Sequence, residues 1–231
     1  MNRVKILCMI MGFFLFYSCE IDNYDPPTMT LEGKVVDEVT GEKFFTSQPN
    51  GIKVRLLEEG FTTPTPFDFW AMSDGTFKNT KLFAAKYKLL ILEGAFEDAS
   101  VEQIDLDLTT GNKVVEFKVM PFIRLKNVAI SASGTTVTAN YKLERTTSTR
   151  KAKSSLLILY NSVHLHITTQ GVMKSTANDL SKLTDPDLAA KAFADQITGL
   201  KPGKYYARVA VLMDNSLNRY SYSEIVEVTV Q

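Results

Sequence analysis

The residue with the most definite chemistry is Cys19. It follows Leu15-Phe16-Tyr17-Ser18 and precedes Glu20-Ile21-Asp22-Asn23-Tyr24-Asp25. Ahead of it, Arg3 and Lys5 make a positive start, and residues 6–17 form an uncharged apolar run. That order is the order of a secretory signal peptide. The run is too short to span a bilayer, which takes roughly twenty residues. A cysteine at the cleavage point is expected to carry a diacylglyceryl group on its thiol and an acyl chain on the freed amine. One chain holds a protein to a membrane only marginally, at about 0.8 kcal/mol per buried CH₂, and stable attachment takes two signals. A triacylated Cys19 meets that condition. The alternative is an ordinary secretory signal followed by a chance cysteine; Phe16 and Tyr17 are bulkier than the strictest lipidation signal prefers.

Other residue pairs could do chemistry but lack the company that chemistry needs. His164 and His166 are two apart in a segment, 163–168, that reads as a strand, which would put both rings on one face. Zinc takes three protein ligands at a catalytic site and four at a structural one, and these are the only two histidines. No metal and no cofactor is expected. Carboxylates come in pairs at Glu58 and Glu59, Glu97 and Asp98, Asp105 and Asp107, and Asp185 and Asp187. Glycoside hydrolysis needs two such groups flanking a cleft at a set separation, and none of these pairs sits in a motif that would place it so. No nucleophile elbow, phosphate loop or dinucleotide fingerprint is present. The chain therefore reads as non-enzymatic, with no catalytic residue.

Aromatic side chains are the better lead, because sugar rings stack their C–H faces on aromatic planes. Trp70 is the only tryptophan. If Phe67 and Phe69 are core, Trp70 faces outward beside a Pro-rich loop. Tyr220 and Tyr222 share a strand face in the same way. All three are candidate contacts for a glycan or a protein partner. The competing reading is a covered tryptophan that plugs a domain interface or a sandwich edge.

The elements that must position these residues are strands. The chain has 231 residues, with 26 Lys and Arg against 26 Asp and Glu. Without Arg3 and Lys5 the balance is near −2, and no basic run suggests nucleic acid. Cys8 falls in the signal, so no cysteine is left for a disulfide once Cys19 is acylated, and packed cores must hold the fold. Residues 20–28 are a polar tether ending in Pro26-Pro27. Alternating runs begin at Leu31, Ile52, Phe67, Tyr87, Val101 and Lys113, with turns at Thr40-Gly41, Asp74-Gly75 and Thr110-Gly111. Pro121 suits a domain joint. A second set follows at 128–130, 136–143, 155–160, 163–168, 205–211 and 225–230. Asp185-Pro186 starts one or two helical turns, with Asp185 as cap, before a strand over 193–198; a longer helix to Ile197 is the alternative. The fold class is all-β: two consecutive antiparallel β-sandwich domains, 29–120 and 121–231, after a signal peptide (1–18) and an acylated cysteine with its tether (19–28).

Two resemblances sharpen this. Leu31-x-Gly33-x-Val35-x-Asp37, Thr40-Gly41-Glu42, Asp74-Gly75-x-Phe77 and Tyr87-x-Leu89 resemble the carboxypeptidase-regulatory-like, transthyretin-like sandwich, which is non-catalytic. Phe77 and Tyr87 would close its core; Ala85 stands near where a glycine is usual. Leu200-x-Pro202-Gly203 with Tyr205-Tyr206 and an alternating strand resembles fibronectin type III, either tyrosine being the corner. Together with the junction Val119-Met120-Pro121-Phe122-Ile123-Arg124, the chain resembles a two-domain lipoprotein family of unknown function in Bacteroidota, encoded beside starch-utilisation-type transporters. That resemblance implies an outer-membrane lipoprotein, lipid-anchored and facing the cell exterior. Its partners would be the membrane through its anchor, a glycan, and the outer-membrane transporter with its surface lipoprotein. It would be an accessory of polysaccharide utilisation; the alternative is a fimbria-like or adhesive assembly lipoprotein with protein partners.

Overall fold

A computed structural model describes residues 25–146 and 150–231. The signal peptide and Cys19 lie outside the described residues. Strands β1 (Met29–Asp37), β2 (Lys53–Glu58), β3 (Phe67–Trp70), β4 (Thr76–Leu82), β5 (Lys86–Leu92), β6 (Ile104–Asp107) and β7 (Lys113–Val119) build the first sandwich. One sheet runs β4-β1-β7 and the other β3-β2-β5-β6. The alternation of β1, β2 and β5 puts Leu31, Val35, Val54, Leu56, Leu89 and Ile91 into the space between the sheets, where each is essentially unexposed. Burying one such side chain contributes about 1.5–3 kcal/mol. Gly33 is there because Phe77 lies across it: a Cβ would stand 2.2 Å from the ring. From Phe77 a chain of rings reaches Phe69 and Phe117, both at 6.3 Å between centroids.

One pairing departs from the antiparallel expectation. β1 and β7, the first and last strands of the sandwich, run parallel from Leu31 opposite Lys113 to Asp37 opposite Val119. Parallel neighbours need a long crossover, and here the rest of the sandwich supplies it.

The second sandwich takes β8 (Ile123–Ser133), β9 (Thr136–Arg145), β10 (Ala152–Tyr160), β11 (Met173–Lys174), β12 (Asn178–Asp179), β13 (Ala192–Ile197), β14 (Gly203–Met213), β15 (Tyr220–Tyr222) and β16 (Val226–Val230). One sheet runs β13-β9-β8; in the other, β10 and β14 are central, flanked by β11 and β12 on one side and β15 and β16 on the other. Tyr205 is the corner residue, its hydroxyl donating to the Lys201 carbonyl at 3.0 Å. Helix α1 (Asp185–Ala190) is short and is followed by β13, so the longer helix does not form. Its cap is Thr184, one residue earlier than expected. Thr184 Oγ1 accepts from the Asp187 N–H at 3.4 Å and donates to the Asp187 carboxylate at 2.6 Å. Both bonds tie the Thr184 hydroxyl to Asp187 three residues on, a pairing that Asp185 could not make with the residue at its own third position, Leu188.

The expected strand over 163–168 does not form either; the segment is turns. Its hydroxyls capture the backbone instead. Thr169 Oγ1 accepts from the His166 N–H at 3.0 Å, and the Thr169 N–H donates to the His166 carbonyl at 3.0 Å. Such local bonds compete with a ladder. His164 is exposed and His166 half-buried, so the two rings do not form the shared face of a strand.

Candidate functional site at the seam between the sandwiches

The two sandwiches meet end to side. β1 stops where the Asp37 carboxylate accepts from the N–H groups of Val39 at 2.8 Å and Thr40 at 3.2 Å, and Gly41 completes the turn at φ 70°. The chain then crosses to the second sandwich, and two consecutive phenylalanines divide between cores. Phe44 packs edge-on against Phe96 in the first, with ring centroids 5.6 Å apart. Phe45 joins a smaller cluster of Leu156, Ile158, Leu165, Ala210 and Tyr222 on the outer face of the β10–β14 sheet. That sheet is thus covered on both sides, which accounts for the consecutive apolar residues Leu156 to Leu159.

Three arginines of the second sandwich reach acceptors of the first. Arg124 makes a forked contact with Asp37, its Nη2 donating to Oδ1 at 2.9 Å. Burial raises the Asp37 pKa, but Arg124 and the two turn N–H groups more than offset this and hold the carboxyl below its usual range. Arg208 is wholly buried; its Nη1 donates to the Thr46 carbonyl at 2.8 Å, and its guanidinium lies 3.7 Å from the centre of the Tyr222 ring. Its Nε and Nη2 have no hydrogen-bond partner among the described residues. The ring face therefore does much of what bonds would do for this cation. Burial lowers its pKa to about 10, with Tyr222 acting weakly the other way. Arg219 donates from Nε to the Glu93 carbonyl at 3.0 Å and from Nη2 to the Glu93 carboxylate. Glu93 also pairs with Lys53 and sits at φ 67°, a conformation that favours glycine. Residues held in that region by their surroundings mark constrained sites.

Two openings flank this seam. One, of about 480 Å³, is bordered by Glu42, Lys43, Arg124 and Glu224, with Phe45 and Tyr222 among the residues behind them. Its central charges, Arg124 and Asp37, already satisfy each other. The other, of about 620 Å³, is a shallower groove between Gln48 and Pro49 of the first sandwich and Tyr160, His164, His166 and Gln170 of the second. Burial, and then the nearby charge of Arg208, lower the His166 pKa. Its ring is therefore neutral at neutral pH, with Nδ1 2.9 Å from the Thr168 hydroxyl. This groove is lined by amides, imidazoles and hydroxyls, with no carboxylate, lysine or arginine among its lining residues.

The structure distributes the residues singled out in the sequence as follows. Trp70 is half-buried near the Arg219 contact, its ring within reach of Lys53 Nζ at 5.3 Å and the Arg219 guanidinium at 5.9 Å. Phe69 packs on the core as expected, whereas Phe67 is 48% exposed at the start of its edge strand. Tyr220 is half-buried and Tyr222 buried, with centroids 6.0 Å apart. Tyr222 is part of the seam itself, its hydroxyl accepting from the Ile167 N–H at 3.3 Å. His164 and His166 both line the uncharged groove. Several of the paired carboxylates serve turns and ion pairs: Asp107 accepts from the Thr109 N–H at 2.9 Å, Asp187 accepts from the hydroxyl of the cap Thr184, and Asp185 pairs with Arg145. Among the described residues no three His, Cys, Asp or Glu side chains converge to hold a metal.

Comparison with known proteins fits this architecture. Residues 29–120 match the family model described as "Protein of unknown function (DUF3823) N-terminal domain". A DUF3823 family protein from Bacteroides uniformis is 24% identical, with a TM-score of 0.75 over 89% of this chain and 100% of its own. One from Parabacteroides merdae is 22% identical, with a TM-score of 0.69 over 90% and 100%. A candidate carbohydrate-binding protein from Bacteroides uniformis is 22% identical, with a TM-score of 0.74 over 88% and 100%. No curated protein matches. Residues 29–120 are thus similar to the DUF3823 N-terminal domain, and across both sandwiches the chain takes the fold seen in Bacteroides proteins of that family.

Proposed function

We propose that this protein is a lipid-anchored lipoprotein of the outer membrane, facing the cell exterior, and a non-enzymatic accessory of polysaccharide utilisation that binds glycan at the seam. The observation that carries the reading is the uncharged groove of Gln48, Tyr160, His164, His166 and Gln170. Sugar hydroxyls are donors and acceptors at once, and amides, the neutral His166 imidazole and hydroxyls match them without the cost of stripping water from a charge. The likeness to a candidate carbohydrate-binding protein supports the same reading, as does the apolar run ending at Cys19.

The test is calorimetric titration of the chain from Glu20 onward against a panel of plant and host glycans. Binding to at least one glycan is expected. A Gln48→Ala, Gln170→Ala double variant should weaken it by about tenfold, equivalent to 1.4 kcal/mol, and Trp70→Ala should weaken it less. Silence across the panel would contradict glycan binding and favour a subunit that only supports the transporter or another assembly.

A further inference from the structure

The first sandwich has two ends of different character. At one end, the segments after β1 and β5 meet the second sandwich. At the other end lie the chain start, the segment 59–66 after β2, the segment 83–85 after β4 and the segment 108–112 before β7. The register fixes this grouping: Met29 stands opposite Leu82, Leu31 opposite Lys113, Glu58 opposite Tyr87, and Lys86 opposite Asp107. Every exposed phenylalanine of the described residues is at this end: Phe61 at 63%, Phe67 at 48% and Phe83 at 51%. Val114, at 81%, joins them. The charges at the strand ends around them, Lys81, Lys86 and Lys113 against Glu58, Glu59 and Asp107, balance, and the chain start adds the exposed Asp25.

We infer that this end of the first sandwich rests on the lipid surface, with Phe61, Phe67 and Phe83 dipping into its interfacial layer. The inference rests on the acylation of Cys19 proposed above. From Cys19 to Met29 is ten steps along the chain, at most about 35 Å when fully extended at 3.3–3.6 Å per residue. The acyl anchor therefore lies within about 35 Å of where β1 begins, and the tether leaves from that end. Exposed apolar side chains gathered on one surface mark contacts with proteins or membranes, and here the tether holds a membrane next to them. Side chains of this kind sit about 5–10 Å into the boundary between headgroups and acyl chains. With no excess of basic residues at this end, the contact is carried by the apolar side chains. It stands the first sandwich on end, with the seam grooves raised above the membrane.

The acylated thiol of Cys19 leaves the mature chain free of reactive cysteines, so single labels can be placed at will. Full-length Phe61→Cys, Phe83→Cys and, at the far tip of the second sandwich, Thr135→Cys are expressed, purified from membranes and checked for acyl mass. They are then labelled with an environment-sensitive fluorophore and reconstituted into phosphatidylethanolamine–phosphatidylglycerol vesicles carrying nitroxide lipids. Labels at 61 and 83 should show blue-shifted emission and several-fold stronger quenching than the label at 135. Fully acylated protein with solvent-like emission at 61 and 83 would overturn this inference and leave the anchor standing. Shielding at these positions in native membranes but not in protein-free vesicles would also overturn it, in favour of a protein partner. Absence of the acyl mass would overturn the anchor, and the inference with it.

Discussion

The two sandwiches bring opposite halves to their seam. The first contributes acceptors: the Asp37 carboxylate, the Thr46 carbonyl, and the carboxylate and carbonyl of Glu93. The second contributes cations: Arg124, Arg208 and Arg219. Their interiors differ as well. The first core is tied together by phenylalanine rings, from Phe44 and Phe96 to Phe69, Phe77 and Phe117. The second holds a buried polar network, in which the Tyr141 hydroxyl donates to Asp195 at 2.8 Å and lies 2.7 Å from Ser155 Oγ. Asn178 Nδ2 donates to the other Asp195 oxygen at 2.8 Å. The difference teaches that the sandwiches are complementary parts. The first is completed by a partner that neutralises its end, and the second carries an outer sheet face that is apolar only because the first covers it.

The comparison breaks most sharply at Arg208. Arg208→Ala leaves the Thr46 carbonyl unpaired, at a cost of about 1–3 kcal/mol, and adds the cost of a void under Tyr222. Arg208→Met fills the space and removes the cost of burying a cation, so it should lose much less. Urea unfolding measures both. Equal losses would show that the bond to Thr46, and not the packing, holds the seam.

Tyr141→Phe tests the second interior alone. It removes the hydroxyl shared by Asp195, Ser155 and Asn178, and a loss of about 1–3 kcal/mol is expected for groups left unsatisfied. Unfolding of the first sandwich, followed at Trp70, should change little.

The smallest effect separates the two by pH. The Asp37 carboxyl is held low, as is that of Glu93, where burial is outweighed by Lys53 and Arg219. Their contribution is complete above the ordinary carboxylate range and is lost as pH falls through their lowered values. Asp195 behaves oppositely, because burial raises its pKa despite Asn178 and Tyr141. Its contribution is complete below the ordinary range and is lost as pH rises through its raised value. Acid should therefore loosen the seam while relieving the second core. Thermal melts between pH 7 and pH 3 should show the acid loss, and Asp37→Asn should flatten it.

Much of the fold was legible because its signals are local. Phe77 sits over Gly33, and the strand of Tyr205, Ala207, Val209 and Val211 faces inward as its alternation predicts. Asp74-Gly75 does form a turn, but it carries the chain from β3 in one sheet to β4 in the other and closes no hairpin, because β3 pairs with β2 and β4 with β1. The seam was not legible, because its partners are far apart: Asp37 and Arg124 by 87 positions, Glu93 and Arg219 by 126, Thr46 and Arg208 by 162. Arg208 in a strand otherwise reads as a solvated charge. The available signal was β10, whose Leu156 to Leu159 are apolar at consecutive positions and so need cover on both faces. The histidine pair was misplaced because alternation at Val163, Leu165 and Ile167 looked like a strand, while Thr168 and Thr169 offered the backbone nearer partners.

The most direct test of the central claim is hydrogen exchange on the chain from Glu20 onward, with and without the tightest-binding glycan of the panel. Slowed exchange confined to residues 45–51 and 160–172 is predicted. Slowed exchange elsewhere with these two segments unchanged would contradict the seam as the binding site.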